Sequence, residues 1–491
     1  MPAGRAPGTP RRRSGARPPP AGSPPARGAR RAGSPRPSPG SASVSRPDRA
    51  RHRDEPPPTF HAGRSEPSGA FRFPDGFLWG TATSAYQVEG FNTHADWWEW
   101  EQQPGRIAAG GRSGAACNWW QAAEADFDRM AALGQNAHRL SVEWSRIEPE
   151  PGRWDEAALA RYRTMVSGLR ARGITPMVTL HHFTFPLWVA RRGGWLWPGL
   201  PQAMAQFARR VVEALGDLVT LWCTLNEPVG AIVSGFLTGR FPPGGGGLRR
   251  ARRALVQAVR AHAALYRTVH ALQPAAQVGP TAYLRLFDPA RPVLFDRAVA
   301  AVQDRLLNWA FLDALHTGRL PALLHLPPLP EARGTMDFVG VNYYTRDLVA
   351  LDLRAPRRLF ARNFHAPGAL MSDGGYGEIY PEGLYRVLQR ARVYGRPLYV
   401  TENGLPDADD DQRPAFILGH LRQLSRALQA GCDVRGYFHW TLVDNFEWAH
   451  GWTLRFGLIA LDPATQTRTP RPSAEVYAAI CRTGGLPQQT P

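Results

Sequence analysis

The chain has 491 residues, 43% of them hydrophobic and 10% aromatic, which is enough to bury a sizeable core. Its formal net charge is +18, but residues 1–70 hold 14 arginines against four acidic residues, and the chain has no lysine. Arginine used alone, with much Ala, Gly and Pro, indicates the codon bias of a GC-rich genome, so the charge gives little support to nucleic acid as a partner. No run reaches the roughly 18 apolar residues of a membrane span.

Residues 1–69 consist mostly of Pro, Arg, Gly, Ser and Ala, with almost no large apolar side chain. Such a segment cannot bury enough surface to offset the entropy of ordering, so we predict a disordered N-terminal extension. A flexible tail, a mis-assigned start codon, a targeting peptide and a nucleic-acid-binding arm all stay open as explanations. The segment has no apolar stretch that could serve as a secretory signal, and we expect a cytoplasmic protein.

From residue 70 to residue 484, short apolar runs alternate with longer helix-like stretches, and residues 485–491 are predicted to be a C-terminal tail. Continuous apolar runs of about 5–8 residues are typical of strands buried on both faces in a parallel sheet. Residues 155–172 and 200–215 have the amphipathic pattern of helices. The apolar runs are "FLWGTATSAYQ", "NAHRLSVEW", "ITPMVTLHHF", "LVTLWCTLNEP", "QVGPTAYLRL", "DFVGVNYYT", "RPLYVTENG" and "VRGYFHWTLV". Eight strands with helices between them predict an α/β fold, a (β/α)₈ TIM barrel enlarged by loop insertions.

Polar residues stand where these predicted strands end, and in such a barrel the C-terminal ends of the strands form the active site. A single polar residue there has an ordinary explanation as a cap or turn former. The convergence of such residues from seven of the eight strand ends on one rim indicates a site instead. The residues are Gln87 with Glu89, Arg139, His181 with His182, Asn226 with Glu227, Asn342 with Tyr344, Glu402 with Asn403, and Trp440.

Two carboxyls, Glu227 and Glu402, end the fourth and seventh predicted strands and are expected to face each other across the barrel mouth. Cleavage of a glycosidic bond needs this pair, one carboxyl protonated and the other ionised. Arg139 on the second strand offers a permanent positive charge to Glu402, and Tyr344 offers a hydrogen bond to the same group. The alternatives are salt bridges at the rim for the glutamates and, for Arg139, an ion pair that only holds the barrel together.

The chain from about Phe71 to Thr483 resembles family 1 of the glycoside hydrolases, the β-glucosidase family of retaining enzymes on a (β/α)₈ barrel. The motifs "TLNEP" and "YVTENG" alone would be weak, because related barrel glycosidases share them. The N-terminal block and "DNFEW" are specific to the family. The matching motifs are "FPDGFLWGTATSAYQVEG", "HRLSVEWSRIEPEPG", "TLHHFTFPLWV", "TLNEP", "DFVGVNYYT", "YPEGLY", "YVTENG", "WTLVDNFEWAHGWTLRFGL" and "TRTPRPSAEVY".

The resemblance implies a role for each matching residue. Glu227 corresponds to the general acid/base and Glu402 to the nucleophile. For Trp440 and Trp448 the alternative is packing in the core, and for His182 it is a purely structural role. The residues that steer the two carboxyls are Arg139, Asn226 and Tyr344, those that bind the sugar hydroxyls are Gln87, His182, Asn226, Glu447 and Trp448, and Trp440 is the stacking platform.

Two features narrow the implied substrate. The acid Glu447 is present and lysine is absent, whereas members acting on 6-phosphosugars replace that acid and add a lysine. Glu227 is intact, whereas thioglucosidases of the family lack this acid. The two features together favour O-glycosides of unphosphorylated sugars over 6-phosphoglycosides and thioglycosides. The chain also departs from the pattern: Thr184 replaces an Asp, and Gly377 stands where many members have a Trp at the leaving-group end, which leaves the leaving-group preference open. The segment after "TENG" is shorter than usual and is expected to open the entrance further.

The implied activity is removal of single sugars from the nonreducing end of a β-glycoside or short oligosaccharide, with glucose first and galactose or fucose as further candidates. A transglycosidase with the same glutamates and a catalytically silent sugar-binding protein are the rivals. No metal or organic cofactor is implied, and the oligomeric state is not indicated. The cysteines Cys117, Cys223, Cys432 and Cys481 are far apart, with no CxxC pair, and are predicted to be buried free thiols.

Overall fold

A computed structural model describes residues 70–488. The predicted disordered extension, residues 1–69, lies outside the described residues, as do residues 489–491 of the predicted tail. The strand Phe71–Arg72 pairs antiparallel with Gly485–Leu486, so the two ends of the described chain lie side by side. Within residues 70–488 no helix is both long and apolar enough to cross a membrane.

Eight parallel strands close into a barrel. Each strand pairs with the next in chain order, and the eighth pairs with the first, which closes the sheet. Every strand lies within one of the eight apolar runs, so the predicted TIM barrel is confirmed. The strands are β1 (Leu78–Ala82), β2 (Ala137–Ser141), β3 (Thr175–His181), β4 (Leu221–Asn226), β5 (Gln277–Tyr283), β6 (Val339–Asn342), β7 (Leu398–Asn403) and β8 (Val434–His439).

The strands are apolar throughout because both of their faces are covered. Every residue of β4 and of β7 is buried. Inward side chains fill the barrel and outward ones meet the surrounding helices, which is the reason continuous apolar runs predict such strands. All four cysteines are buried, as predicted.

Helices follow each strand and cover the outside of the barrel. The predicted helix at 155–172 spans Glu156–Ala171, and the carboxylate of Asp155 caps it by accepting from the Ala158 amide at 2.9 Å. The predicted helix at 200–215 is observed at Leu200–Leu215. The helices that follow β1 to β8 are Trp119–Ala132, Glu156–Ala171, Leu200–Leu215, Gly247–Leu272, Leu294–Gln303 with Ala310–Thr317, Glu382–Ala391, Arg413–Gln429 and Pro472–Thr483.

Insertions between these units carry short elements. A three-stranded sheet, Leu286–Pro289 with Arg346–Leu351 and Ala361–Phe364, extends beyond β5 and β6, and Ile459–Leu461 pairs with Arg468–Pro470. Short α-helices span Ala85–Val88, Asp96–Glu101, Trp144–Ile147, Leu187–Arg191 and Pro228–Ile232. Single turns of 3₁₀ or π-helix span Ala108–Gly110, Gly194–Leu196, Val233–Thr238, Asp304–Trp309, Ala322–Leu324, Pro330–Ala332, Pro356–Arg358, Asp373–Gly375, Arg392–Tyr394 and Trp448–His450.

The structure shows why the "TENG" motif ends in a glycine, Gly404, directly after β7. A Cβ atom at Gly404 would overlap the carbonyl oxygen of Trp440, which follows β8. The main chain after Glu402 therefore passes directly against the neighbouring strand end. Only glycine permits this approach, and the approach brings Glu402 and Trp440 to the same rim.

Candidate active site

A cavity of about 310 Å³ opens at the C-terminal ends of the barrel strands. Eight of the ten predicted site residues line it, and the other two, Gln87 and Arg139, lie behind the lining with no exposed surface. The structure thus brings the predicted residues together in one place. The eight are His182, Asn226, Glu227, Tyr344, Glu402, Trp440, Glu447 and Trp448.

Glu402, the fifth residue of β7, has a strong donor on each carboxylate oxygen. The guanidinium of Arg139 lies 2.5 Å from Oε1, and the hydroxyl of Tyr344 donates to Oε2 at 2.6 Å. Arg139 is fully buried and Glu402 is 3% exposed, so little water screens this pair. Charge-assisted hydrogen bonds of this kind are short and strong, and two of them fix the orientation of the carboxylate.

Arg139 lies in the middle of β2 and not at its end, which corrects the predicted position. Its side chain crosses the barrel interior from there. Nη2 donates to Oδ1 of Asn226 at 2.6 Å, and Nε donates to the hydroxyl of Thr179 at 3.1 Å. Thr281 donates to the same Asn226 oxygen at 2.7 Å. Sequence reasoning missed Thr179 and Thr281, although both occupy inward positions of predicted strands.

Glu227 follows β4 in a left-handed backbone conformation, with φ +44° and ψ +50°. Residues other than glycine adopt this region rarely, and at functional sites the cost is about 1–3 kcal/mol. Nδ2 of Asn342 donates to Oε1 of Glu227 at 2.7 Å. Burial raises the pKa of Glu227 to about 8, and the negative charge of Glu402 adds to the shift. Glu227 therefore holds a proton at neutral pH.

Asn226 links the two glutamates indirectly, through Arg139, which contacts Glu402, and Asn342, which contacts Glu227. Its Oδ1 accepts from Arg139, Thr281 and Asn342, so the amide nitrogen must be the group facing His182, where it donates to Nε2 at 2.9 Å. Burial lowers the pKa of His182 well below its usual value, with the Arg139 charge as the next cause, which leaves the ring neutral. With Nε2 accepting, the ring hydrogen is on Nδ1, and this atom has no partner within residues 70–488.

Gln87 lies in the short helix Ala85–Val88 and not at a strand end. The Ser84 hydroxyl donates to its Oε1 at 2.7 Å, which fixes the amide, and Nε2 then donates to Oε2 of Glu447 at 3.1 Å. Burial raises the pKa of Glu447 to about 8, and the charge of Glu402 contributes. Gln87 orients Glu447, and Glu447 is the group that meets the cavity.

Aromatic rings form one wall of the cavity. The ring of His182 is nearly parallel to that of Trp440, at a centroid distance of 6.1 Å, and to that of Trp448, at 6.0 Å. Trp448 stacks in turn on Tyr86 at 5.8 Å. Flat, buried ring faces suit the C–H face of a sugar, because they offer dispersion contact over a wide area.

Three polar residues at predicted strand ends point elsewhere. His181 packs on Phe185 with a centroid distance of 4.7 Å, and the side-chain amide of Asn403 donates to the Tyr343 carbonyl at 2.7 Å. Glu89 accepts from the hydroxyl of Tyr162 at 2.5 Å. Successive side chains of a strand alternate in direction, which explains why His181 and Asn403 turn away from the cavity that His182 and Glu402 line.

The two departures from the expected motifs have clear surroundings. Thr184 donates to Oε2 of Glu143 at 2.8 Å and is buried, away from the cavity lining. Gly377 packs against Thr345, but Tyr376 beside it lines the cavity, 5.2 Å from the ring of Phe456. The loop that contains Gly377 thus still contributes one aromatic ring, that of Tyr376, to the cavity lining.

Among residues 70–488, three acidic side chains have the spacing that a metal ion needs: Asp407, Asp409 and Asp411. They belong to the loop after β7, and none of them lines the cavity. The arrangement at the cavity itself, with two carboxyls in different surroundings and a wall of rings and amides, suits acid–base and nucleophilic chemistry on a sugar.

The family model for glycosyl hydrolase family 1 matches residues 70–486. Beta-glucosidase A of Thermotoga maritima is 32% identical over 84% of this chain and 99% of its own length. A beta-galactosidase of Pyrococcus woesei is also 32% identical, over 84% and 98%.

Solved structures give the same result. A beta-glycosidase from Pyrococcus horikoshii superposes with a TM-score of 0.80 at 39% identity, covering 85% of this chain and 97% of its own. A beta-glucosidase from Thermotoga maritima in complex with glucoimidazole superposes at 0.81 with 32% identity, covering 84% and 100%. From the fold, the cavity and these similarities together, the chain belongs to glycosyl hydrolase family 1 and is a glycoside hydrolase.

Proposed function

We propose that this chain is a retaining β-glycosidase in which Glu402 is the nucleophile and Glu227 the general acid/base. The observation that carries the proposal is the difference between the two buried carboxyls. Glu402 has a cation and a hydroxyl donor on its two oxygens, whereas Glu227 has one neutral amide donor and a raised pKa. One group is thus prepared to attack and the other to give a proton.

In the first step, an oxygen of Glu402 attacks the anomeric carbon and the bond from that carbon to the leaving oxygen breaks. Glu227 gives its proton to the leaving oxygen, so the alcohol departs neutral. Arg139 and Tyr344 hold the attacking carboxylate in place during this displacement. The product is a covalent glycosyl ester of Glu402 with inverted configuration at the anomeric carbon.

In the second step, Glu227 takes a proton from water, the water oxygen bonds to the anomeric carbon, and the ester bond to Glu402 breaks. The charge of Glu402, one cause of the raised pKa of Glu227, is absent while the ester exists. The pKa of Glu227 therefore falls at the moment when the group has to act as a base. Two inversions give net retention.

The sugar-binding roles follow from the lining. Glu447 with Gln87 behind it, and His182 with Asn226, offer acceptors and donors to the hydroxyls of one terminal sugar, and Trp440 and Trp448 offer ring surface. β-Glucosides are the proposed principal substrates. Relatives named beta-glucosidase and beta-galactosidase support both sugars as test substrates.

The test is hydrolysis of 4-nitrophenyl β-D-glucoside, β-D-galactoside and β-D-fucoside, with the first-formed sugar anomer followed by proton NMR. The proposal expects β-D-glucose as the first product, with later mutarotation. An α-anomer as first product would overturn retention. No cleavage of any of the three by a folded sample would overturn the glycosidase assignment.

We also infer from the sequence that the glycosidase domain spans residues 70–484, that the protein is cytoplasmic, and that nucleic acid is not its partner. Cell fractionation tests the location. Comparing the full chain with a variant lacking residues 1–69 on heparin and on DNA tests the last point, and retention that depends on residues 1–69 would contradict it.

A further inference from the structure

A second, larger cavity of about 860 Å³ adjoins the first. The two cavities share part of their lining, including Gly230, Tyr283 and Arg240. A Cβ atom at Gly230 would lie 3.6 Å from Oε2 of Glu227, so the shared wall borders the group proposed to protonate the leaving oxygen. The larger cavity therefore continues from the site on the side where the leaving group departs.

The charged lining of this second cavity is unbalanced: three arginines, Arg240, Arg285 and Arg358, face one acid, Asp347. The charge of Arg285 is compensated, because its guanidinium lies 2.9 Å from the carboxylate of Asp347 and also donates to the Tyr283 hydroxyl at 2.8 Å. Apolar side chains make up much of the remaining wall, namely Val229, Val233, Leu237, Phe287, Leu307 and Leu359.

The other two arginines are the unusual feature. Within residues 70–488 no carboxylate lies within 4.0 Å of the guanidinium of Arg240 or of Arg358. Arg240 is exposed, and Nη2 contacts Nε2 of His450 at 2.8 Å. Burial lowers the pKa of His450, and the charge of Arg240 lowers it further, so His450 is a neutral acceptor and leaves the positive charge of Arg240 uncompensated.

We propose that the second cavity binds the leaving group and selects one with an apolar body that carries an anionic substituent. The inference rests on the proposed function and adds the substrate class. Guanidinium groups bind carboxylate, sulfate and phosphate with two parallel hydrogen bonds, and an apolar wall beside them strengthens that attraction. The proposed negative charge is on the leaving group. The proposal therefore agrees with an unphosphorylated terminal sugar, which Glu447 and the absence of lysine imply.

The test compares two synthetic substrates: the β-D-glucoside of 3-(4-hydroxyphenyl)propanoic acid, attached through the phenol, and the methyl ester of the same compound. The charged group is separated from the phenol by two methylene groups, so both leaving groups have nearly the same acidity. The ratio of kcat/KM for acid over ester then reports recognition of the charge. The sulfate and phosphate analogues of the acid distinguish the three anions.

Three variants are measured beside the wild type: Arg240→Gln, Arg358→Gln and Arg170→Gln. Arg170 is the matched control, because it is exposed, has no carboxylate within 4.0 Å within residues 70–488, and lies in the last turn of Glu156–Ala171, at the opposite end of the barrel. The wild-type ratio is expected to be about fivefold to tenfold in favour of the acid and to fall with added salt. Arg240→Gln and Arg358→Gln lower it, and Arg170→Gln does not.

A wild-type ratio of one or less, or a ratio that is the same in Arg240→Gln and Arg358→Gln as in the wild type, overturns this inference while cleavage of the ester still supports the proposed function. If neither substrate nor 4-nitrophenyl β-D-glucoside is cleaved, the proposed function fails and this inference fails with it.

Discussion

Removal of one hydroxyl group, in Tyr344→Phe, tests whether the surroundings of Glu402 control the reaction. The variant keeps the ring, and with it the packing against Tyr283 and Tyr376, but deletes the 2.6 Å hydrogen bond to Oε2. A hydrogen bond to an ionised partner is worth about 1.5–3 kcal/mol, so we expect kcat/KM to fall roughly 10- to 150-fold. The physical reason is that a carboxylate held on one oxygen only can rotate away from the line of attack.

Tyr343→Phe is the matched control. Tyr343 is the preceding residue, is also buried, and donates its hydroxyl to the Tyr380 carbonyl at 2.6 Å. Its contact with Glu402 is a main-chain hydrogen bond, which the substitution leaves in place. Both variants lose one buried hydrogen bond, so similar decreases in melting temperature are expected.

The assay is initial-rate hydrolysis of 4-nitrophenyl β-D-glucoside, together with a thermal melt of each variant. Activity loss in Tyr344→Phe with near wild-type activity in Tyr343→Phe supports the reasoning. Equal losses in both variants, or full activity in Tyr344→Phe, would refute it.

Three further predictions concern the same rim. In Glu227→Gln, the rate of cleavage of glucosides with poor leaving groups should fall by about 10²–10⁴-fold, because these leaving groups need the proton. 2,4-Dinitrophenyl glucoside does not need it and should still form the glycosyl-enzyme. Equal losses for both substrates would contradict the acid role. Because the pKa of Glu227 is raised to about 8, the acid is present below that pH and is lost above it, so kcat/KM should decline as pH rises through about 8, and a flat profile to pH 10 would count against the assignment. In Gly404→Ala, the new Cβ overlaps the Trp440 carbonyl oxygen, so the free energy of unfolding should fall by about 1–3 kcal/mol and the melting temperature should drop. An unchanged melting temperature would show that the loop can move aside.

The strands could be predicted from the sequence because burial on both faces leaves a continuous apolar run. The helix at 200–215 was predicted to the residue, and the one at 155–172 to within one residue at each end. The position of Arg139 was wrong by half a strand, because an apolar run does not show where within it a long side chain turns inward.

Most of the candidate site could also be predicted, since its residues stand next to turn-forming residues at strand ends. Thr179 and Thr281 were missed because a threonine within an apolar strand gives no signal of its own, and only the closed barrel brings both onto the Arg139 side chain and Asn226. Tyr376 was missed because a loop position cannot be assigned to a cavity without knowing the path of the loop.

The second cavity could not be predicted at all. Arg240 and Arg358 are separated by more than a hundred residues and lie in different insertions, among many other arginines of the chain. That neither has an acidic partner in the part of the chain that the structure describes is a property of the packed loops and not of any local motif.

The nucleophile is the central assignment, and covalent labelling tests it most directly. The protein is incubated with a 2-deoxy-2-fluoro-β-D-glucoside carrying a good leaving group, and the intact mass is measured before peptide mapping. The account predicts one added fluoroglucosyl group, located on Glu402. Label on another residue would move the nucleophile, and no label on a folded sample that also fails to cleave β-galactosides and β-fucosides would contradict the account.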